Sequence, residues 1–86
     1  MPTKTRKNVH KQVVRITHAY LGVAADRFID RQVRNHLHKE PEDITKKDLA
    51  QLIDWIRLAV SLLTDNSQVI DEYIGQLERL TDEINT

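Results

Sequence analysis

Apolar residues recur along this chain every three or four positions, and short polar breaks separate the runs. That spacing predicts amphipathic helices. No segment alternates with period two, so no strand is predicted. In the N-terminal half, Val9, Val13, Ile16 and Tyr20 make one stripe, and Leu21, Ala24, Ala25, Phe28, Val33 and Leu37 make another. Spacing is kept within each set, but the phase slips between them at Gly22, in the stretch "AYLGVAADRFI". A glycine inside a helix costs about 1 kcal/mol relative to alanine. Gly22 therefore reads first as a hinge that lets Tyr20 and Phe28 face one core. Close backbone packing and a position of no consequence are the other readings.

The clearest connector is "HKEPEDITKKD". The residue before a proline resists helical dihedrals, so Pro41 predicts a helix end near Lys39 or Glu40. Thr45 suits an N-cap, Asp48 three residues on can complete a capping box, and Ile44 with Leu49 suits a hydrophobic staple. Leu49, Leu52, Ile53, Ile56, Val60 and Leu63 then mark a third helix, on which Trp55, Leu58, Ala59 and Leu62 add a second apolar face. "TDNS" breaks it, and Asn66 or Ser67 can cap a fourth. That helix carries Ile70, Tyr73, Leu77, Leu80 and Ile84, a heptad-like seam too short to specify a coiled coil. The pattern predicts an all-α, four-helix bundle-like domain with a helix break or kink near Gly22. Its helices fall near 5–20, 22–38, 46–63 and 68–84. Residues 1–7 read as a frayed basic tail and 8–86 as one domain. The expected core is Val13, Ile16, Tyr20, Phe28, Leu37, Leu52, Ile53, Ile56, Val60, Ile70, Leu77 and Leu80.

Composition narrows the function classes. The 86 residues include no cysteine, which excludes disulfides, thiolate nucleophiles and cysteine-based zinc sites and suits a cytoplasmic setting. A domain of this size buries only about 60% of its unfolded surface, so its stability margin is thin. The longest apolar stretch, "IRLAVSLL", is far shorter than the roughly 20 residues a membrane span needs. The basic N-terminus lacks the apolar core of a secretory signal. Net charge is zero, but it is segregated: residues 1–39 hold nine basic and two acidic residues, and residues 40–86 hold four basic and eleven acidic ones. A +7 half and a −7 half can complement each other within one fold, assemble between chains, or leave a basic patch for an acidic partner.

Reactive chemistry finds no footing. The histidines His10, His18, His36 and His38 have no chelating spacing, and Ser61 and Ser67 have no triad context. Asp48, Asp71 and Glu72 fall near helix N-termini, which favour carboxylates. Asp26, Arg27, Asp30, Arg31 and Arg34 read as an exposed helical ion-pair lattice. Asp54 reads as a solvent-facing edge residue. No catalytic, cofactor or metal site is predicted. Lys4, Lys7, Lys11 and Arg15 do form a basic row, as phosphate tracking would require. The row lacks interleaved aromatics and a helix-turn-helix signature. A membrane-surface helix over residues 4–20 is a weaker expectation, because its apolar face is narrow.

The segments "AYLGVAADRFIDRQVRN" and "DITKKDLAQLIDWI" together resemble a small helical module found at the C-termini of some bacterial signalling proteins. That module carries a tyrosine, an aliphatic residue, Gly-Pro and Ile-Ala, then an apolar-basic helix and a Thr/Ser-x-x-Asp/Glu-Leu helix start. The matching residues are Tyr20, Leu21, Gly22, Ala24, Arg31, Thr45, Asp48 and Leu49, and Val23 stands in place of the proline. The resemblance implies a bacterial accessory or regulatory module without catalytic residues. The resulting expectation is a non-catalytic protein–protein interaction or regulatory module, able to self-associate, with Trp55, Leu62, Tyr73 and Ile84 as its apolar interface. The alternative is a nucleic-acid-binding protein that uses Lys4, Lys7, Lys11 and Arg15.

Overall fold

The computed structural model describes the backbone of residues 3–83 and the side chains of residues 9–82. Helix α1 spans Thr3–Leu21, a 3₁₀ turn covers Gly22–Ala24, and α2 spans Ala25–Leu37. A second 3₁₀ turn, Pro41–Asp43, precedes α3 (Lys46–Ser61), and α4 spans Ser67–Glu83. The described residues contain no strand, so the chain is all-α. Non-helical linkers separate three long helical stretches, and Gly22 divides the first of them into α1 and α2.

That division comes from backbone conformation. Gly22 has φ +63°, in the left-handed region where a Cβ is disfavoured, yet a Cβ placed there would meet nothing within 4 Å. Close packing therefore does not require the glycine; the chain reversal does. Helix α2 turns back beside α1, bringing His10 Nε2 to 3.9 Å from Asp30 Oδ1. Helix α2 ends at Leu37, capped by the left-handed His38 at φ 54°, earlier than the end near Lys39 or Glu40 that Pro41 predicts, because the left-handed residue already turns the chain out of the helix.

The restart follows the expected chemistry. Asp48 N–H donates to Thr45 Oγ1 at 3.1 Å, and Thr45 N–H donates to Asp48 Oδ2 at 3.0 Å, closing a capping box. Ile44 and Leu49 on either side are fully buried, as a staple requires. Lys39 Nζ adds a 2.7 Å bond to the same carboxylate. Partial burial raises the Asp48 carboxyl, but the Lys39 ammonium and the Thr45 donors outweigh it and hold it below its ordinary pKa. Helix α3 stops at Ser61, whose hydroxyl donates to Arg57 O at 2.8 Å. Leu62 and Leu63 thus lie in the turn beyond the helix. Asn66 caps α4 by accepting the Val69 N–H at 3.3 Å.

Helix α1 packs on α2, α2 on α3, α3 on α4, and α4 returns to α1. One apolar cluster joins them. It includes Leu52, Ile53, Ile56 and Val60 as expected, but the N-terminal half differs. Ile16, Tyr20, Phe28 and Leu37 are only partly buried against the cluster, whereas Val9, Val13, Ile29 and Val33 belong to it. The helical hairpin presses i, i+4 rows together: Val9–Val13–Thr17 on α1 and Ala25–Ile29–Val33 on α2. Ile16 and Phe28 sit one position before a row member and flank it. Leu63, expected in the third stripe, is 61% exposed because the helix ends before it. The expected lattice on α2 is also absent: Asp30 approaches His10, and Arg34 pairs with Glu40 at 3.1 Å.

Candidate interaction surface

Two regions combine apolar and polar groups in opposite ways. The first is the seam between α1 and α4. Thr17 is fully buried near the C-terminal end of α1. Its hydroxyl lies 2.7 Å from the Val13 carbonyl oxygen and 2.6 Å from the Tyr73 hydroxyl. A carbonyl only accepts, so the single Thr17 proton goes to Val13, and Tyr73 must donate to Thr17 Oγ1. Burial pushes the Tyr73 phenol from its ordinary 10.0 up to about 12. The Tyr20 ring lies 5.1 Å from the Tyr73 ring at a 47° tilt, and Gln76 Nε2 donates to the Tyr20 hydroxyl at 2.7 Å. Among the described residues, no buried side-chain polar atom lacks a partner.

Tyr73 is therefore not an interface residue. At 1% exposure it is one of the largest fully buried side chains, because the Thr17 acceptor satisfies its hydroxyl inside the fold. Of the other expected interface residues, Trp55 is half-exposed and stacks on His36 of α2, with ring centroids 4.0 Å apart and 8° between planes. Leu62 is 88% exposed. Ile84 lies outside the described residues.

The second region surrounds Leu62. Leu21, Ala24 and Phe28 near the hairpin turn and α2 face Ala59, Leu62 and Leu63 at the end of α3 across a groove of about 410 Å³. Gln32 contributes to its floor, and Arg27 and Arg31, one turn apart on α2, line it as well. Both arginines are exposed and have no hydrogen-bond or ion-pair partner among the described residues. No carboxylate is among the residues lining the groove. Exposed Val23 and Leu58 add to the apolar surface at this end of the molecule. The sequence stripes missed Phe28 and the arginines as parts of a site, because the reversal at Gly22 is what brings α2 beside the end of α3.

The basic row is only partly described. Lys11 and Arg15 are exposed and without a partner among the described residues. Lys4 and Lys7 lie outside the described side chains. Arg15 lines a shallow depression opposite Gln76 and Arg79 of α4. The charge segregation is bridged at close range around the α2–α3 connector, by Arg34–Glu40 and Lys39–Asp48. Arg57–Asp71, at 3.1 Å, ties α3 to α4 within the acidic half. Among the described residues, no basic side chain of α1 pairs with an acid of α4.

Among the described residues, no three His, Cys, Asp or Glu side chains come together to hold a metal ion, and no helix is long and apolar enough to cross a membrane. No protein-family model, curated protein or solved structure matches the chain.

Proposed function

We propose that this chain is a non-catalytic, cytoplasmic, helical protein–protein interaction module of four-helix bundle-like form, in keeping with its resemblance to a bacterial signalling C-terminal module. The observation that carries the reading is the exposed apolar surface at one end of the molecule, centred on Leu62 and bordered by Arg27 and Arg31. Single exposed leucines are ordinary. Several beside a groove, with cations that the fold leaves unpaired, are the mark of a binding surface. The bundle-like form is supported by the order in which the helices pack, each on its sequence neighbour and α4 on α1.

The test is site-specific photo-cross-linking in the source cell. A photoreactive residue at position 62 should capture a discrete product, and one at exposed Gln68 on the first turn of α4 should not. Equal or absent capture at both positions, with a monomer in sedimentation equilibrium, would sink the reading.

A second reading, nucleic-acid binding, is supported by Lys11 and Arg15, which are exposed, one turn apart and unpaired among the described residues. It requires binding to generic DNA or RNA that weakens steeply with salt and is lost in Lys11→Glu/Arg15→Glu. No mobility shift at low salt would end it.

A further inference from the structure

We infer that the groove between α2 and the end of α3 takes an acidic amphipathic helix of another protein, with leucine-like side chains on its stripe and carboxylates spaced one turn apart along its flank. This rests on the interaction-module reading and names the chemistry of the partner.

Three features select that occupant. Helical elements supply the walls and no strand edge is at hand among the described residues, so a segment adding itself as a strand has nothing to pair with. A helix laid into an apolar groove is the recognition mode left. Phe28, Ala59, Leu62 and Leu63 provide apolar contact on both walls. Arg27 and Arg31 then fix the sign and register of the partner. Two guanidiniums four residues apart on one helix stand about 6 Å apart along its axis, which matches carboxylates three or four residues apart on a facing helix. Since neither arginine has a partner among the described residues, a bound carboxylate displaces no existing ion pair.

A second copy of the chain fits less well. Pairing this patch with itself would bring two Arg27–Arg31 pairs into one small interface whose lining holds no carboxylate. The described outer positions of α4, the acidic helix, are mostly polar, and its large aliphatic residues Ile74, Leu77 and Leu80 are already buried.

The probe is a labelled, alanine-based helical peptide with leucines at three- and four-residue spacing and glutamates flanking them, made also in glutamine and lysine versions. Fluorescence anisotropy with the full chain should show the glutamate peptide bound most tightly and the lysine peptide least. Arg27→Glu/Arg31→Glu should weaken the glutamate peptide by about tenfold or more and strengthen the lysine peptide. Leu62→Gln should weaken all three. Circular dichroism should read the same helicity in every variant, since all three positions are exposed.

Equal binding of the three peptides, no binding of any, or indifference to the charge reversal would overturn the inference. So would self-association in sedimentation equilibrium that Leu62→Gln abolishes, because the groove would then belong to a second copy. That last result would leave the interaction-module reading standing, whereas failed cross-linking at position 62 together with a monomer in sedimentation equilibrium removes both.

Discussion

The α1–α4 seam and the groove at the end of α3 are built from similar materials: aromatic or aliphatic bodies with a few polar groups among them. In the seam every buried side-chain polar group among the described residues is spoken for. Thr17 gives its proton to Val13, Tyr73 gives its proton to Thr17, and Gln76 reaches the Tyr20 hydroxyl. In the groove, Leu62 faces solvent, and Arg27 and Arg31 have no partner among the described residues. The difference shows which region folding uses. A satisfied buried network fixes how α4 lies on α1, because an unpaired polar group there would carry its full desolvation cost. An exposed surface with unpaired cations contributes little to folding, which is why the proposed partner is placed there rather than at the seam.

The largest effect expected from this contrast is alkaline. Folded Tyr73 has a pKa near 12 against an ordinary 10.0, so the folded state holds the proton where the unfolded state has lost it. The Tyr73 contribution is therefore whole below pH 10 and falls as pH rises towards 12, by about 1.4 kcal/mol per pH unit, or about 2–3 kcal/mol in all. Urea titrations of the native chain and of Tyr73→Phe at several pH values isolate it. The gap in stability between the two should shrink, and then reverse, over that window. A gap that stays constant means that Tyr73 is not held neutral by burial.

Thr17 tests the direction of the hydrogen bonds. Thr17→Val keeps the packing but strands the Tyr73 O–H as a buried donor, at a cost of about 2 kcal/mol. Tyr73→Phe leaves Thr17 still bonded to Val13 and should cost about 1 kcal/mol. The double variant replaces both partners with apolar groups and should recover part of the loss. Additive costs in thermal or urea unfolding would mean that Tyr73 and Thr17 do not depend on each other, and the seam would lose its special standing.

Much of this architecture was legible in the sequence where the signal is local. The Thr45–Asp48 box and the Ile44–Leu49 staple act within a few residues, so their types alone placed the start of α3; Pro41 marked the connector but not the end of α2 at Leu37, and the cap of α4 was narrowed only to Asn66 or Ser67. Gly22 was legible as a break because the apolar phase slips there. What pattern could not reach was tertiary. Thr17 continues the Val9–Val13 row but is not apolar, so the stripes did not include it; the Val13 carbonyl and Tyr73, far away in sequence, satisfy its buried hydroxyl. Tyr73 was read as interface because it lies on the heptad-like seam of the fourth helix, a seam whose described members the fold itself buries. Leu62 kept its place as an exposed residue, but its neighbours Phe28, Arg27 and Arg31 join it only through the Gly22 reversal.

The two glycines sharpen the comparison at smaller magnitude. Gly22 at φ +63° borders the groove, and Gly75 is helical on α4; a Cβ at either would meet nothing within 4 Å. With sterics equal, only backbone conformation separates them. Gly22→Ala should destabilise by about 1 kcal/mol, because a left-handed alanine costs more than the entropy it removes from the unfolded chain. Gly75→Ala should stabilise by about 0.5–1 kcal/mol. In a chain this small that separates the two melting temperatures by several degrees, in opposite directions from the native value. Shifts of the same sign would mean that the hairpin turn tolerates a right-handed residue at position 22.

The smallest effect is the one the groove depends on. Leu62 follows the last residue of α3 and is 88% exposed, so Leu62→Gln removes almost no buried surface. It should change unfolding stability by less than about 0.5 kcal/mol. If urea unfolding instead shows a loss approaching that of Thr17→Val, Leu62 is part of the core and the two regions do not differ as described. A neutral result gives the peptide and cross-linking experiments their meaning, because binding lost in Leu62→Gln then cannot be assigned to loss of the fold. The side chain would be one that folding leaves alone and that a partner helix has reason to cover.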